Sequence, residues 1–198
     1  MEDVVEIKTV LLGNSGVGKT SVAQRFVLDQ FNSKLKSTCV AGFLCKFLEV
    51  AESKKNAKFQ IWDTAGQEEY KSMTELYYKN AAVALVIFDL NNEESFRGVD
   101  GWVQELRDKG PSDILIVLAA NKADLIVEQK VNLREAEEYA DSVKSKLFVV
   151  SAKEGINVKE MFEYIALRIV NSNSTATKLP KTNIKKLNGK KEKKKKCC

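Results

Sequence analysis

The feature that most constrains this chain is a glycine-rich segment near its start, where residues 13–20 read GNSGVGKT. An apolar run at residues 5–12 precedes it and predicts a strand, and residues 19–29 after it predict a helix. The segment matches G-x-x-x-x-G-K-[ST], in which glycines let backbone N–H groups converge on phosphate oxygens at a helix N-terminus. We therefore expect a phosphate-binding loop; the spacing does not fit the G-x-G-x-x-G pattern of dinucleotide sites.

Short apolar runs alternate with segments of helical spacing through the first 170 residues. Runs rich in Val, Ile and Leu, typical of strands buried on both faces, occupy residues 82–88, 114–120 and 146–150. A polar turn at residues 53–56 joins two further strands, at 43–50 and 58–62. Helices are predicted at residues 94–108, 133–144 and 158–170. This alternation predicts an α/β fold with a doubly wound, mostly parallel six-stranded sheet, helices on both faces and one antiparallel pair.

The net charge of +5 is concentrated at the end of the chain. Residues 171–198 contain ten Lys and one Glu, so they carry +9 and the preceding 170 residues carry −4. This last stretch is also rich in Asn, Ser and Thr, which predicts a disordered basic tail after a domain at residues 1–170. Because the basicity lies in the tail, it does not indicate nucleic-acid binding by the domain.

Composition also excludes several classes of site. The chain contains no histidine, which rules out His-dependent triads and His metal sites. Its four cysteines, at positions 39, 45, 197 and 198, have neither a zinc spacing nor a disulfide framework. No apolar run approaches the roughly 20 residues of a membrane-spanning helix, and the acidic N-terminus lacks a signal-peptide pattern, so we expect the domain to face the cytosol.

The base that accompanies the phosphates is indicated by the sequence NKAD at residues 121–124, directly after a predicted strand. A carboxylate at Asp124 can accept from guanine N1–H and the exocyclic amine together, whereas adenine offers no such donor pair. With adenine the carboxylate would be left unpaired, which is costly. The sequence SAK at residues 151–153 follows the next strand and can supply a backbone N–H to guanine O6.

One hydroxyl, that of Thr20, and one carboxylate, that of Asp63, predict a Mg²⁺ site. In the phosphate loop, Lys19 is expected to reach the β- and γ-phosphates and the Thr20 hydroxyl to ligate Mg²⁺. The sequence DTAGQ at residues 63–67 ends another predicted strand. Asp63 is placed to hold the metal's hydration shell, Gly66 to present its N–H to the γ-phosphate, and Gln67 to orient the attacking water.

These motifs, in this order and spacing, resemble the Ras superfamily of small GTPases. WDTAGQE at residues 62–68, YYKNA at 77–81 and the terminal Cys197-Cys198 are similar to the Rab family of vesicle-traffic GTPases. NEESF at 92–96 and AGFL at 41–44 resemble the early-endocytic Rab subgroup. The likeness covers residues 5–170 and the last two residues.

The resemblance implies a P-loop small GTPase fold, with Thr38 as Mg²⁺ and γ-phosphate sensor and Phe31 against the guanine face. The motifs and the resemblance together predict nucleotide contacts at Gly13, Ser15, Gly16, Val17, Gly18, Lys19, Thr20, Ser21, Phe31, Thr38, Gly66, Asn121, Lys122, Asp124, Ser151, Ala152 and Lys153. Metal ligands are expected at Thr20, Thr38 and Asp63, and Gln67 is the expected catalytic residue. The implied partners are GTP or GDP, an exchange factor, an activating protein, a dissociation inhibitor and effectors, acting on a monomer.

The chain departs from the Rab pattern at three places. Cys39-Val40 replace the usual Ile-Gly after the switch Thr, Glu69 replaces a common Arg, and Asn80 stands where Gly is usual. None is among the predicted phosphate or base contacts, so these departures bear on partner choice. No Arg lies shortly before Thr38, so we expect slow intrinsic hydrolysis and an activating protein that supplies an Arg in trans.

The chain ends in KKEKKKKCC at residues 190–198. Basic residues near an anionic leaflet contribute about 1 kcal/mol each, and stable anchoring needs two lipid chains or one chain with a basic patch. The ending is not a C-a-a-X box; resemblance to Rabs implies geranylgeranyl groups on Cys197 and Cys198. A Lys run alone would favour a nucleic-acid tail or a solubilising segment, but the terminal Cys pair favours lipidation.

The leading interpretation is therefore a GTP hydrolase that acts as a membrane-recruited switch on endosomal membranes and cycles with the cytosol. Two alternatives remain at this stage. A catalytically weak GTP-binding scaffold is favoured by the departures in the switch regions and opposed by the retained Gln67. A nucleic-acid-binding NTPase has only the basic tail in its favour, and we predict no nucleic-acid partner.

Overall fold

Strands and helices largely alternate along the chain, and the five parallel strands have their carboxyl ends at the same edge of the sheet. The computed structural model describes residues 4–35, 37–38, 41–50, 55–64 and 71–172. The strands are β1 (Val4–Leu12), β2 (Gly42–Val50), β3 (Lys55–Asp63), β4 (Val83–Asp89), β5 (Leu115–Asn121) and β6 (Lys146–Val149). The helices are α1 (Lys19–Leu28), α2 (Lys71–Tyr78), α3 (Glu93–Lys109), α4 (Leu133–Ser142) and α5 (Val158–Asn171), with a 3-10 turn at Ile126–Glu128.

The six strands form one sheet in the order β2-β3-β1-β4-β5-β6. β2 and β3 are antiparallel, and the other four pairings are parallel. The predicted α/β fold, with its mostly parallel six-stranded sheet and one antiparallel pair, is confirmed. The order places β1 between β3 and β4, so the loops that follow these strands lie side by side at one edge, where open α/β sheets bind ligands.

Two apolar layers cover the sheet. On one face, Ile7 and Leu11 of β1 pack with α1 and α5, including a stacked pair of rings, Phe26 and Phe162, with centroids 3.7 Å apart. On the other face, Val10 and Leu12 pack with α2, α3 and α4. All seven residues of β4 are buried, which is the pattern expected of a central parallel strand.

Most element boundaries differ from the sequence prediction by one residue, and three differences are larger. Lys55 and Asn56, predicted to lie in a polar turn, belong to β3 and pair with Val50 and Glu49. Helix α4 ends at Ser142, not at 144, because Lys144 adopts a left-handed conformation with φ of 54°. Helix α2 was not predicted as a helix. The predicted domain boundary after residue 170 stays a prediction, because the chain from residue 173 onward lies outside the described residues.

Within the described part of the chain, no helix is both long enough and apolar enough to cross a lipid bilayer.

Candidate functional site

The loop between β1 and α1 needs glycine at two positions for steric reasons. Gly13 has φ of 132°, and a Cβ there would lie 2.1 Å from the Ile87 carbonyl oxygen of β4. Gly18 has φ of 96°, and a Cβ there would lie 2.4 Å from the Asn121 side-chain nitrogen. Both conformations are unfavourable for residues with a side chain. The loop therefore lies close against the carboxyl ends of β4 and β5.

Lys19 begins α1 and turns its side chain back into this loop. Its Nζ donates to the carbonyl oxygens of Gly13, at 2.8 Å, and Asn14, at 3.0 Å. The residue is only 6% exposed. Burial lowers the pKa of Lys19 to about 8, against the opposing effect of Asp63. A buried cation held by two carbonyls at a helix N-terminus is well placed to bind an anion. The contact of Lys19 with the β- and γ-phosphates stays a prediction.

Next to Lys19, three oxygen-bearing side chains from distant parts of the chain meet. The Thr20 hydroxyl donates to Oδ2 of Asp63 at 2.6 Å. The Thr20 and Thr38 hydroxyls are 2.7 Å apart. Thr20 comes from α1, Asp63 from the end of β3, and Thr38 from the segment between α1 and β2. The three residues predicted to ligate Mg²⁺ are thus brought together in one place.

The chemistry of this cluster fits Mg²⁺. Asp63 is 4% exposed, and its Oδ1 has no hydrogen-bond partner. Burial raises the pKa of Asp63, with Thr20 and Lys19 acting in the opposite direction. A hard divalent cation would compensate this buried carboxylate, and Mg²⁺ is commonly held by one or two carboxylates together with waters and substrate phosphates. Among the described residues there is no group of three or more His, Cys, Asp or Glu side chains that could hold a metal without such extra ligands.

The predicted base-recognition residues lie on two adjacent loops, after β5 and β6. Oδ1 of Asp124 accepts from the Ser151 hydroxyl at 2.7 Å, and its Oδ2 lies 3.7 Å from Lys153 Nζ. The Asp124 side chain is 10% exposed. Its carboxylate is therefore oriented by the second loop, which is how a group that must accept from a base edge would be held in place.

Asn121 and Lys122 connect the base loops to their surroundings. The Asn121 side chain donates to the Val17 carbonyl at 2.9 Å and accepts from the Ala152 N–H at 3.2 Å. It therefore joins the phosphate loop to the loop after β6. Lys122, with φ of 66°, forms a 2.6 Å ion pair with Asp89 at the end of β4.

The phosphate loop and the segment before β2 together enclose a pocket of about 140 Å³. Its lining includes seven predicted site residues, namely Ser15, Gly16, Gly18, Lys19, Thr20, Ser21 and Thr38. Sequence reasoning missed two lining residues, Leu35 and Ser37, because a loop residue without a motif gives no local signal. Phe31, predicted to lie against the base, is 38% exposed.

Several predicted positions fall outside the described residues. These are Gly66 and the catalytic candidate Gln67, the departures Cys39, Val40 and Glu69, and the lipidation candidates Cys197 and Cys198. Their roles stay predictions. Asn80, the third departure, is an exposed residue just after α2.

An aromatic surface borders the segment that contains Thr38. The Phe43 ring is 5.2 Å from Trp62, and Trp62 is 5.3 Å from Tyr77 of α2. Phe43 and Phe47 on β2 are 54% and 61% exposed. Large aromatic side chains exposed in a group are typical of protein interaction sites. Sequence reasoning missed this surface because these rings come from three elements.

Comparisons with known proteins agree with this geometry. The sequence model of the Ras family matches residues 8–171. The chain is 41% identical over 175 residues to "Ras-related protein Rab-22A" of Homo sapiens, covering 88% of each chain. It is 39% identical over 169 residues to "Ras-related protein Rab-31" of Rattus norvegicus, covering 85% of this chain and 86% of that protein.

A plant relative is similar to the same extent: the chain is 44% identical over 165 residues to "Ras-related protein RABF2a" of Arabidopsis thaliana, covering 83% of this chain and 82% of that protein. The family match spans nearly all of the described sheet and helices. It confirms the resemblance drawn from the sequence. The chain belongs to the Ras family and is a Rab-type small GTPase of the early-endocytic subgroup, and hence a GTP hydrolase.

Proposed function

We propose that this GTPase is a membrane-recruited switch in endocytic vesicle traffic, which binds GTP and GDP with Mg²⁺ and changes conformation on hydrolysis. The observation that carries the proposal is the convergence of Thr20, Thr38 and Asp63 beside Lys19. It joins the phosphate loop, a carboxylate at the end of β3 and the segment between α1 and β2 at one point. A γ-phosphate at that point would interact with Thr38 in the GTP state and not in the GDP state, which is the basis of a switch.

Hydrolysis in this site depends on positioning and charge compensation. The loop's backbone N–H groups and Lys19 hold the phosphates, and Thr20, Thr38 and Asp63 would hold Mg²⁺. When bound, Mg²⁺ compensates the charge that develops on the phosphate oxygens. Gln67 would orient the attacking water, and Gly66 would donate its N–H to the γ-phosphate. With no Arg shortly before Thr38, an activating protein supplies the missing cation.

Base selection is assigned to Asp124, with the residues 151–153 supporting it. Ser151 and Lys153 both approach its carboxylate, at 2.7 and 3.7 Å. Phe31 would cover one face of the base. Adenine would not supply the two donors that guanine offers to the Asp124 carboxylate, so the pocket favours guanine.

Binding to partner proteins and attachment to membranes are assigned to two other parts of the chain. The aromatic surface of Phe43, Trp62 and Tyr77, in which Phe43 is exposed and the other two rings are half-buried, borders the segment between α1 and β2 that contains Thr38 (the switch segment). This position supports its use by exchange factors, activating proteins, a dissociation inhibitor and effectors. The basic tail with Cys197 and Cys198 supports prenylation and attachment to the cytoplasmic face of endosomal membranes, in exchange with a cytosolic pool.

The rate of GTP hydrolysis by a Gln67→Leu variant tests the proposed role of Gln67 in the switch. Leu cannot orient water, so we expect single-turnover hydrolysis of bound GTP to slow by about tenfold or more while GDP affinity is unchanged, since Gln67 acts only in the transition state. The measurement is phosphate release from preloaded full-length protein with Mg²⁺, with Gln60→Leu, on β3 away from the phosphate loop, as the control.

Equal rates in the wild type and Gln67→Leu would remove Gln67 from the mechanism. If the wild type also failed to hydrolyse GTP with an activating protein present, the GTP-binding scaffold would be the better description. Hydrolysis at many turnovers per second without any partner would contradict the need for an Arg in trans.

A further inference from the structure

Arg25, in the last turn of α1, uses all three of its guanidinium nitrogens. Its Nε donates to the Ala152 carbonyl at 2.8 Å, and its Nη2 donates to the Lys153 carbonyl at 2.7 Å. Its Nη1 donates to the carbonyl and carboxylate oxygens of Asp29, at 3.1 and 2.9 Å. The Arg25 side chain is 17% exposed. Its bond to the Ala152 carbonyl is partly buried, whereas its bonds to Lys153 and Asp29 lie at the surface.

The two carbonyls belong to the loop after β6, whose other side supports the base site. Ser151 donates to Asp124, and the Ala152 N–H donates to the Asn121 side chain. The loop is therefore held from both sides: by the base-recognition residues on one and by Arg25 on the other. Because Arg25 binds the main chain of two successive residues, it fixes the loop's backbone as well as its distance from α1.

The third guanidinium nitrogen of Arg25, Nη1, bonds to Asp29 at the start of the switch segment. Asp29 ends α1 in a left-handed conformation, with φ of 53°, and its N–H donates to the Arg25 carbonyl at 3.1 Å. Phe31 follows two residues later, and Thr38 lies in the same connecting segment. One side chain thus joins the base loop to the point where the switch segment leaves α1.

Arginine is specifically suited to this position. Its planar guanidinium presents several donors in a fixed arrangement, so it can bind two adjacent carbonyls at once, whereas a lysine ammonium acts as a single point charge.

We propose that Arg25 is a positioning residue for guanine-nucleotide binding, which holds residues 151–153 against the base site and couples that loop to the start of the switch segment. It makes no contact with Lys19, Thr20 or Asp63 in the described residues. It should therefore control how long the nucleotide stays bound and leave the hydrolytic step alone. The inference rests on the nucleotide site proposed above.

The test is release of a fluorescent GDP analogue from full-length protein with Mg²⁺. Arg25→Gln loses the charge-assisted bonds to both carbonyls, so we expect release about tenfold faster or more. Arg25→Lys keeps the charge and should release GDP at an intermediate rate; it also keeps the test decisive if Arg25→Gln does not fold. The hydrolysis rate of preloaded GTP should stay within about twofold of the wild type, since the chemistry lies on the phosphate side.

Two controls isolate the base-loop bonds. Arg97→Gln breaks a helix-surface ion pair with Glu93 that matches the Arg25–Asp29 spacing, and should release GDP like the wild type. Asp29→Asn keeps a residue that tolerates the left-handed conformation and removes only an exposed charge, so its effect should be small. Removing Mg²⁺ weakens the contacts with the phosphates, whereas Arg25→Gln weakens the support of the base. The two changes are independent, so the factors by which they accelerate GDP release should multiply.

Release from both Arg25 variants within twofold of the wild type would overturn the proposal. So would slower hydrolysis of bound GTP with unchanged release, or equal acceleration by Arg97→Gln. Failure of the wild type itself to retain GDP would instead overturn the nucleotide site, and this role with it.

Discussion

Asp63 is the residue on which the metal and switch interpretation depends most. It sits at the end of β3, where its Oδ2 accepts from Thr20 and its Oδ1 has no partner although it is buried. Burial raises its pKa, which means that the fold disfavours the charged form in the absence of a cation. A cation that binds beside this carboxylate stabilises its charged form. Ionisation of Asp63 and binding of the nucleotide's metal are therefore energetically linked.

Replacing Asp63 by Asn keeps the side chain's size and removes its charge. We expect the Mg²⁺ dependence of GDP retention to shift to at least tenfold higher Mg²⁺ concentration, since removing even an outer-shell carboxylate partner typically costs 10- to 100-fold in affinity. The measurement is GDP release as a function of free Mg²⁺. Asp108→Asn, an exposed change on α3, is the control. Identical Mg²⁺ curves for wild type and Asp63→Asn would show that this carboxylate does not bind the metal.

The positions of some site side chains follow from local spacing, and these positions could be predicted from the sequence. Lys19 and Thr20 could be predicted because a loop followed by a helix N-terminus determines where their side chains go. The roles of Asn121 and Arg25 as connectors could not, because each bonds to a carbonyl more than 100 residues away in the chain. A contact between distant segments depends on the sheet order, which no single motif specifies.

Helix α3 links two neighbouring helices through tyrosine hydroxyls. Tyr78 of α2 donates to Glu105 at 3.0 Å, and Tyr139 of α4 donates to Asp100 at 3.2 Å. Burial, together with the nearby carboxylates, raises the pKa of both tyrosines, that of Tyr139 to about 12. Ionised tyrosine cannot donate these bonds and repels the carboxylates, so both contacts require the neutral hydroxyl.

Stability should therefore fall in alkaline solution. In the unfolded chain Tyr139 loses its proton near its ordinary pKa of 10, but in the folded protein only near 12. Between these values the folded state binds more protons, so the free energy of unfolding decreases as pH rises. The contribution is fully present below pH 10 and is lost as pH passes through 12. Denaturant unfolding at pH 9 to 11.5 measures this slope.

Tyr139→Phe should flatten part of that slope, and Tyr78 should account for some of the remainder. Asp100→Asn should flatten it less, because burial is the larger cause of the raised pKa and remains in that variant. A pH dependence of unfolding in Tyr139→Phe identical to that of the wild type would contradict this explanation.

Strands could be predicted where the sequence forms a continuous apolar run. β4 and β5 are apolar runs buried on both faces, and their bounds differ from the prediction by one residue at each end. Helix α2 was missed because it has only eight residues, fewer than the roughly 11 to 18 over which helical spacing can be recognised in a sequence. The start of β3 was missed because Lys55 and Asn56 are polar residues, and their place in the sheet is set by pairing with β2.

For the whole molecule, the uneven charge gives the two parts of the chain different roles. Residues 1–170 carry −4, whereas the last 28 residues carry +9 and end in two cysteines. An acidic domain is repelled by an anionic membrane surface, and a basic tail is attracted to it. The tail is thus the part that would attach the domain to the membrane, leaving the aromatic surface of Phe43, Trp62 and Tyr77 available to partners.

A double Cys197→Ser, Cys198→Ser variant tests the tail. Without lipid chains the basic run alone gives only weak, salt-sensitive attachment, so we expect the tagged full-length variant to be diffuse where the wild type lies on endosomal membranes. Cys45→Ser, at an exposed cysteine of the domain, is the control. Membrane localisation of the double variant equal to that of the wild type, or free thiols at both positions in the native protein, would contradict lipidation.

The central claim is that the phosphate loop at residues 13–20 holds a guanine nucleotide because Asp124 selects the base. The direct measurement is the relative affinity of full-length wild type and Asp124→Asn for GDP, ADP and XDP. We expect the wild type to prefer GDP over ADP by on the order of 10⁴, since a site built to bind two donors rejects a base that lacks them. An Asn amide can donate to the 2-oxo group of xanthine, so Asp124→Asn should prefer XDP. Comparable affinities of the wild type for GDP and ADP, or an unchanged GDP preference in Asp124→Asn, would contradict the account.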